Sequence, residues 1–91
     1  MKPKPLRWNH EKNQELQNAW GVSFEEVAFR IEHDRVLDVR RHPNRVKYPH
    51  QRIFVIEIKD YVYLVPFVED EECIFLKTII PSRKAKKESR P

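Results

Sequence analysis

The sequence has a single glycine, a single cysteine and no long apolar run, and each scarcity excludes a class of protein. One glycine cannot form a glycine-rich loop that cradles phosphate groups. Cys73 cannot close a disulfide within the chain, and its apolar neighbours favour a buried thiol over a nucleophile. No run approaches the roughly 20 apolar residues that span a bilayer, and the start of the chain lacks the apolar centre of a signal peptide. We therefore expect a cytoplasmic protein.

The residues that are present are sufficient for one hydrophobic core. The chain has 91 residues, of which 40% are hydrophobic and 11% aromatic, so a folded domain over residues 1–91 is expected. Residues 1–7 hold two prolines and three basic residues, which predicts a flexible arm. Residues 82–91 form a basic tail, in which Ser82 could cap a short helix.

The net charge of +4 is unevenly placed along the chain. Residues 82–91 hold five basic residues against Glu88, so they account for all of it, and the other 81 residues hold 13 bases and 13 acids. Within that neutral body, residues 39–56 hold five bases and no acid, whereas residues 69–72 are four consecutive carboxylates. A basic loop and a basic tail favour a phosphate-bearing or acidic partner, although a solvated surface would have the same composition.

Local signals near the start of the chain predict two helices. Asn9 is a suitable N-cap for a first helix over about residues 10–20, and Gly21 stands where a left-handed residue would end it. Ser23 and Glu26 have the spacing of a capping box, flanked by Val22 and Val27 at the positions of a hydrophobic staple. A second, amphipathic helix of about two turns is therefore expected after Ser23.

The rest of the chain predicts β-strands. A short strand is expected at Val36–Arg40, followed by three longer antiparallel strands at Ile53–Ile58, Tyr61–Val68 and Cys73–Ile80. Pro66 should bend or bulge the second long strand, and Pro81 should end the third. The predicted fold class is α+β, with two N-terminal helices packed on a small antiparallel sheet of three to four strands and a short basic C-terminal helix or tail.

Several pieces of the sequence resemble one family in the same order along the chain. Leu6-Arg7-Trp8-Asn9, Lys12 and Gly21-Val22-Ser23-Phe24-Glu25-Glu26 are similar to the start of BrnT-type toxins, which read Phe-x-Trp-Asp, a lysine four residues after the tryptophan, and His-Gly-Val-Ser-Phe-Glu-Glu. Ile80-Pro81-Ser82-Arg83-Lys84-Ala85 resembles the family's Ile-Ser-Ala-Arg-Arg-Ala at the last strand. The chain departs from the pattern at Asn9, Leu16 and Trp20, where the family commonly has Asp, Asn and His.

The resemblance implies a toxin of a bacterial type II toxin–antitoxin pair. Such a protein has a compact RelE-like fold and cleaves RNA, which stops translation. Its cognate antitoxin, of the ribbon-helix-helix type, silences it and would bring operator DNA only through the complex of the two proteins. On this interpretation the partners are the antitoxin and an RNA substrate, and no membrane is involved.

Cleavage of RNA without a metal requires a base for the 2′-hydroxyl, an acid for the leaving oxygen and cations around the phosphate. The candidate catalytic residues are Arg83, Lys84, Lys77, His50 and Glu57. The candidate RNA-binding residues are Lys12, Arg40, Arg41, Arg45, Lys47 and Arg52. His10, His33 and Cys73 do not have the spacing of metal ligands, so neither a metal nor another cofactor is predicted.

Each catalytic candidate also has an ordinary structural interpretation. Arg83 and Lys84 could be solvated charges of the tail, and Lys77 could be a surface lysine whose stem covers apolar neighbours. Glu57 falls on the face of its strand opposite Phe54 and Ile56, where a solvent-facing glutamate is common. His50 could titrate near neutral pH or could be an unremarkable loop residue.

Two classes of function therefore remain open. The first is an endoribonuclease toxin, and the second is a non-enzymatic interaction module, or degenerate toxin, that binds an acidic protein or nucleic acid. Growth arrest on expression of the chain alone, relieved by expression of the neighbouring reading frame, would favour the first.

Overall fold

The computed structural model describes residues 4–41, 44, 46–47 and 50–82, which form two helices and six strands. In chain order these are β1 (Leu6–Arg7), α1 (His10–Trp20), α2 (Phe24–Glu32), β2 (Val36–Arg41), β3 (Gln51–Ile58), β4 (Tyr61–Glu69), β5 (Ile74–Leu76) and β6 (Ile80–Pro81). The predicted α+β class is confirmed. The predicted basic tail beyond Ser82 lies outside the described residues, and neither helix is long and apolar enough to cross a membrane.

The two helices begin and end where local chemistry predicts. Asn9 caps α1, because its Oδ1 accepts the backbone N–H of Lys12 at 2.9 Å. Gly21 ends α1 in the left-handed region, with φ 70, and its N–H donates to the carbonyl of Gln17. Ser23 Oγ accepts the N–H of Glu26 at 3.2 Å and so caps α2.

The other predicted parts of the capping motif at α2 are the hydrophobic staple and the side chain of Glu26. Val22 and Val27 are both buried, as the staple positions require. Glu26, predicted to reach back to the amide of Ser23, lies with Oε1 4.0 Å from Arg30 Nη2, in a pair one helical turn apart. The start of α2 therefore depends on the hydroxyl of Ser23.

The sheet is mixed and larger than predicted. Its strand order is β1-β5-β4-β3-β2, and β6 pairs with β4 beyond the end of β5. β1 runs parallel to β5, with Leu6 opposite Ile74, whereas the other described pairs are antiparallel. The prediction of three to four purely antiparallel strands was therefore wrong, and part of the predicted arm at residues 1–7 is strand β1. Pairing between the two ends of a chain leaves no local signal in its sequence.

Pro66 causes no bulge in the pairing of β4 with β3, which was one of the two effects predicted for it. The pairing of β3 with β4 is continuous through Ile53 and Pro66. The carbonyl of Pro66 accepts the N–H of Lys77, so Pro66 directs its backbone groups towards β5 and not towards β3. Because Pro66 has no N–H, a backbone hydrogen bond is lost only on the side of β4 that faces residues 73–80. There the predicted strand Cys73–Ile80 is divided into β5 and β6.

The core lies between the helices and one face of the sheet. Leu16 and Val22 pack with Phe24 and Val27 against Ile56 and Val65, among others. Asn13 is the buried polar residue of this region. Its Oδ1 accepts the N–H of Phe24 at 2.8 Å and its Nδ2 donates to Glu25 Oε1 at 2.6 Å. We call Asn13, Glu25 and the amide of Phe24 the helix junction, because they tie α1 to the start of α2.

Candidate functional site

A surface cleft lies at one end of the sheet, where β2 ends, β3 begins and β4 ends. The two-residue turn at Lys59 and Asp60 fixes the register of β3 and β4, so that Arg52 pairs with Phe67. Arg41, at the end of β2, pairs with Arg52 on its other side. The cleft has a volume of about 550 Å³ and is lined by Lys4, Arg41, His50, Arg52, Glu69, Asp70 and Glu71. We call it the charged cleft.

Glu69 is at the centre of the contacts in the charged cleft. Its Oε2 accepts from Lys4 Nζ at 2.8 Å, and its Oε1 accepts from Arg52 Nη2 at 2.6 Å. The hydrogen bond from Lys4 and the positive charges of Lys4 and Arg52 lower the pKa of Glu69. Glu69 is therefore ionised at neutral pH and is a weak base. The Arg52 guanidinium also lies 5.2 Å from the centre of the Phe67 ring, which restricts its orientation.

The turn after β4 holds the neighbouring carboxylates in place. Asp70 Oδ1 accepts the N–H groups of Glu72 and Cys73, each at 2.8 Å. These backbone hydrogen bonds lower the pKa of Asp70. Lys4 Nζ donates to the carbonyl of Asp70 at 2.6 Å, which fixes the N-terminal segment against this turn.

The charges of the cleft cancel when His50 is neutral. Its cations are Lys4, Arg41 and Arg52, and its carboxylates are Glu69, Asp70 and Glu71. Such a cleft offers two guanidinium groups and an imidazole, but two of its three cations are already paired with Glu69. A phosphate that enters must compete with that carboxylate for Arg52 and Lys4.

The structure brings together three of the predicted site residues, namely Arg41, His50 and Arg52. Arg40 pairs with Ile53 on the other face of the sheet, and its Nε lies 3.2 Å from Asp38 Oδ2. Lys47 is exposed, and its N–H donates to Asn44 Oδ1. Arg45, Arg83 and Lys84 lie outside the described residues, so their predicted roles remain predictions.

The other predicted residues lie elsewhere in the fold. Glu57 lines a separate cavity of about 430 Å³ with Arg30, His33, Asp34, Arg35, Val36 and Leu37, towards the opposite end of β3. Lys77 is exposed between β5 and β6, and alternation from the buried Leu76 places it on the face away from the helices. Lys12 is half-buried in the first turn of α1. None of these three residues lines the charged cleft with His50, and their predicted roles remain predictions.

Sequence reasoning missed Lys4 and Glu69. Lys4 was placed in the arm, and only the pairing of β1 with β5 brings it to the cleft. The position of Glu69 could have been predicted from the sequence. A two-residue turn at Lys59 and Asp60 places the start of β3 beside the end of β4. The acid-free segment and the four carboxylates should therefore have been expected to face each other.

Among the residues that the structure describes, no three His, Cys, Asp or Glu side chains come together as a candidate metal site. Comparisons with models of protein families, with curated proteins and with solved structures found no match to this chain.

Proposed function

We propose that this chain is the toxin of a type II toxin–antitoxin pair, that it acts in the cytoplasm and that it cleaves RNA in the charged cleft without a metal. The observation that carries the proposal is the grouping of Arg41, His50 and Arg52, which come from two strands and the loop between them. The resemblance of the sequence to BrnT-type toxins supports it independently.

The proposed chemistry is attack by the 2′-oxygen of a ribose on the adjacent phosphorus. The P–O5′ bond breaks, which leaves a cyclic 2′,3′-phosphate and a free 5′-hydroxyl. His50 serves one of the two oxygens, by taking the proton from the 2′-hydroxyl or by supplying one to the leaving 5′-oxygen, and water serves the other, because an imidazole nitrogen can accept or donate a proton. The two guanidinium groups bind the phosphate oxygens as negative charge develops. Glu69 is a poor base because its pKa is lowered.

The test is a digest of RNA by the purified chain, with and without a chelator. We expect cleavage that the chelator does not affect, and products that end in a cyclic phosphate. Replacement His50→Gln should reduce the rate by roughly 100-fold or more, which is the usual contribution of a general acid or base. His33→Gln is the matched control, because His33 is an exposed histidine in the separate cavity. Equal rates for the two variants would remove His50 from the mechanism.

The role of the predicted tail residues needs its own experiment. A chain with Arg83→Ala and Lys84→Ala should keep its melting temperature and lose toxicity if those residues contact the substrate. A variant that still arrests growth would confine the chemistry to the charged cleft.

The proposed partner is an antitoxin of the ribbon-helix-helix type that covers the basic loop with acidic side chains. Opposite charges speed such an association, and added salt should slow it. A chain with Arg40, Arg41 and Arg45 changed to alanine should bind the antitoxin more weakly. Association that responds to neither change would show that the antitoxin covers a different surface.

A second candidate function is a non-enzymatic module that binds RNA or an acidic protein. The ion pairs of Glu69 with Lys4 and Arg52 favour it, because they occupy cations that catalysis would use. Glu69→Gln separates the two functions. In an enzyme it should raise both RNA affinity and cleavage, since Arg52 and Lys4 are freed for phosphate. In a binding module it should raise affinity alone.

A further inference from the structure

β2 forms one edge of the sheet and has six residues, whereas β1 at the opposite edge has only two. Its outer side has no neighbouring strand among the described residues. It also exposes apolar side chains, because Leu37 is 48% exposed and Val39 is 47% exposed. The register of β2 with β3 shifts between Val36 and Asp38, so residues 38–41 are its regular part. An open edge of this kind with apolar side chains is a template for the addition of another strand.

The backbone geometry identifies the groups of β2 that face outwards. Since Pro66 directs its backbone groups away from β3, its partner Ile53 directs its own groups to β2, where they meet Arg40. Alternation then places the N–H and C=O of Val39 and Arg41 on the outer side. One hydrogen bond agrees with this assignment, because the N–H of Val39 donates to the side chain of Asp38 at 2.8 Å.

The charges along β2 of one copy are complementary to those along β2 of a second, antiparallel copy. In an antiparallel pair of two copies with Val39 on the twofold axis, Asp38 stands opposite Arg40 of the second copy, and Arg40 stands opposite Asp38 of the second copy. Residues opposite each other share a face, as Asp38 and Arg40 do within one strand. The axis brings the two Val39 side chains together. The pairing is closed, so it produces a dimer and not a fibre.

We propose that β2 is the surface through which two copies of this chain associate, edge to edge and antiparallel about Val39. Asp38 sets the strength of the association. In the single chain its Oδ1 accepts from Val39 and its Oδ2 lies 3.2 Å from Arg40 Nε. Dimerisation exchanges these contacts for equivalent ones across the axis, so the dimer is weak and depends on concentration. The inference involves no RNA. It shares Arg40 with the surface proposed for the antitoxin, so its test uses the chain alone.

Charge exchange between variants tests the register. Sedimentation of the full chain should give a mass that rises towards that of two chains as concentration increases. Asp38→Arg and Arg40→Asp should each remain single chains, since like charges then face each other. An equimolar mixture of the two variants should recover the dimer, and so should the doubly exchanged chain. Failure of the mixture to associate while the parent does so would overturn the proposed register.

A second variant keeps the proposal testable if the charge-exchanged chains do not fold. Val39→Lys places two ammonium groups on the axis and should weaken the dimer by about tenfold or more. Val46→Lys is the matched control, because Val46 is 96% exposed and lies outside β2. Equal dissociation constants for the two variants, or a parent chain that stays single up to on the order of 1 mM, would overturn the proposal.

Discussion

The helix junction and the charged cleft each contain a glutamate whose pKa is lowered, but the causes differ. At Glu25 the largest cause is a hydrogen bond from the neutral amide of Asn13. At Glu69 the causes are a hydrogen bond from Lys4 and the charges of Lys4 and Arg52. The amide that holds Glu25 also satisfies the buried N–H of Phe24, whereas the cations that hold Glu69 are partly exposed.

The difference shows that a lowered pKa does not by itself mark a functional site. What a lowered pKa indicates depends on the group that bonds to the carboxylate. Both polar atoms of the Asn13 side chain bond to the start of α2, so the junction is structural. Lys4 and Arg52 are partly exposed to solvent, so the ligand binding proposed for this chain is assigned to the cleft. The junction should therefore control stability, and the cleft should control binding.

The largest effect on stability is expected from Asn13→Ala. The substitution leaves the N–H of Phe24 buried without a partner, which should cost about 2 kcal/mol of unfolding free energy. Asn18→Ala is the matched control on the same helix, since Asn18 is exposed and alanine is the better helix former. Urea unfolding of both variants checks the prediction. Equal losses would show that the junction does not stabilise the fold.

The second effect is expected from Gly21→Val, which forces a β-branched residue into the left-handed region at φ 70. A Cβ at this position would meet no atom within 4 Å, so the cost comes from the backbone alone and should be about 1–2 kcal/mol. Gly21→Asn should lose less, because asparagine tolerates this conformation. Thermal unfolding distinguishes the two variants, and an unchanged midpoint for valine would contradict the assigned end of α1.

A smaller effect is expected from Ser23→Ala, which removes the acceptor for the N–H of Glu26. The loss should be about 1 kcal/mol, and Ser23→Asp should restore most of it because the carboxylate can accept the same bond. Unfolding free energies of both variants check the prediction. A full loss in the aspartate variant would mean that the hydroxyl has a different role.

The smallest effect on stability is expected from Glu69→Gln. Partly exposed ion pairs contribute about 0.2–1 kcal/mol each, and added salt reduces that contribution. Because the pKa of Glu69 is lowered in the folded chain, its contribution is present above the ordinary value of 4.5 and is lost as the pH falls through the lowered value. Unfolding at neutral and acid pH should show a difference between parent and variant that disappears in acid. A loss as large as that of Asn13→Ala would erase the contrast between the two regions.

The sequence predicted what local chemistry determines. Gly21 and Ser23 bound their helices because their effects reach only a few residues, and the hairpin of β3 and β4 follows from alternation and a short turn. Asn13 was missed because an asparagine within a helix usually faces solvent. β1 was missed because its partner is at the other end of the chain. In the cleft, Arg41, His50 and Arg52 were predicted by charge and residue type, but their neighbour Lys4 depends on that distant pairing.

Because the edge beside Pro66 is divided into two short strands, β5 and β6, it should open more readily than the rest of the sheet. β3 and β4 share an uninterrupted ladder, whereas β5 and β6 are short strands on the other side of β4. The amides of β5 and β6 should therefore exchange with deuterium before those of β3. Lys4 belongs to the part that opens first, because β1 is paired with β5, whereas Arg52 belongs to the part that stays closed. A transient opening of this edge would withdraw Lys4 from Glu69 and leave the guanidinium of Arg52 in place.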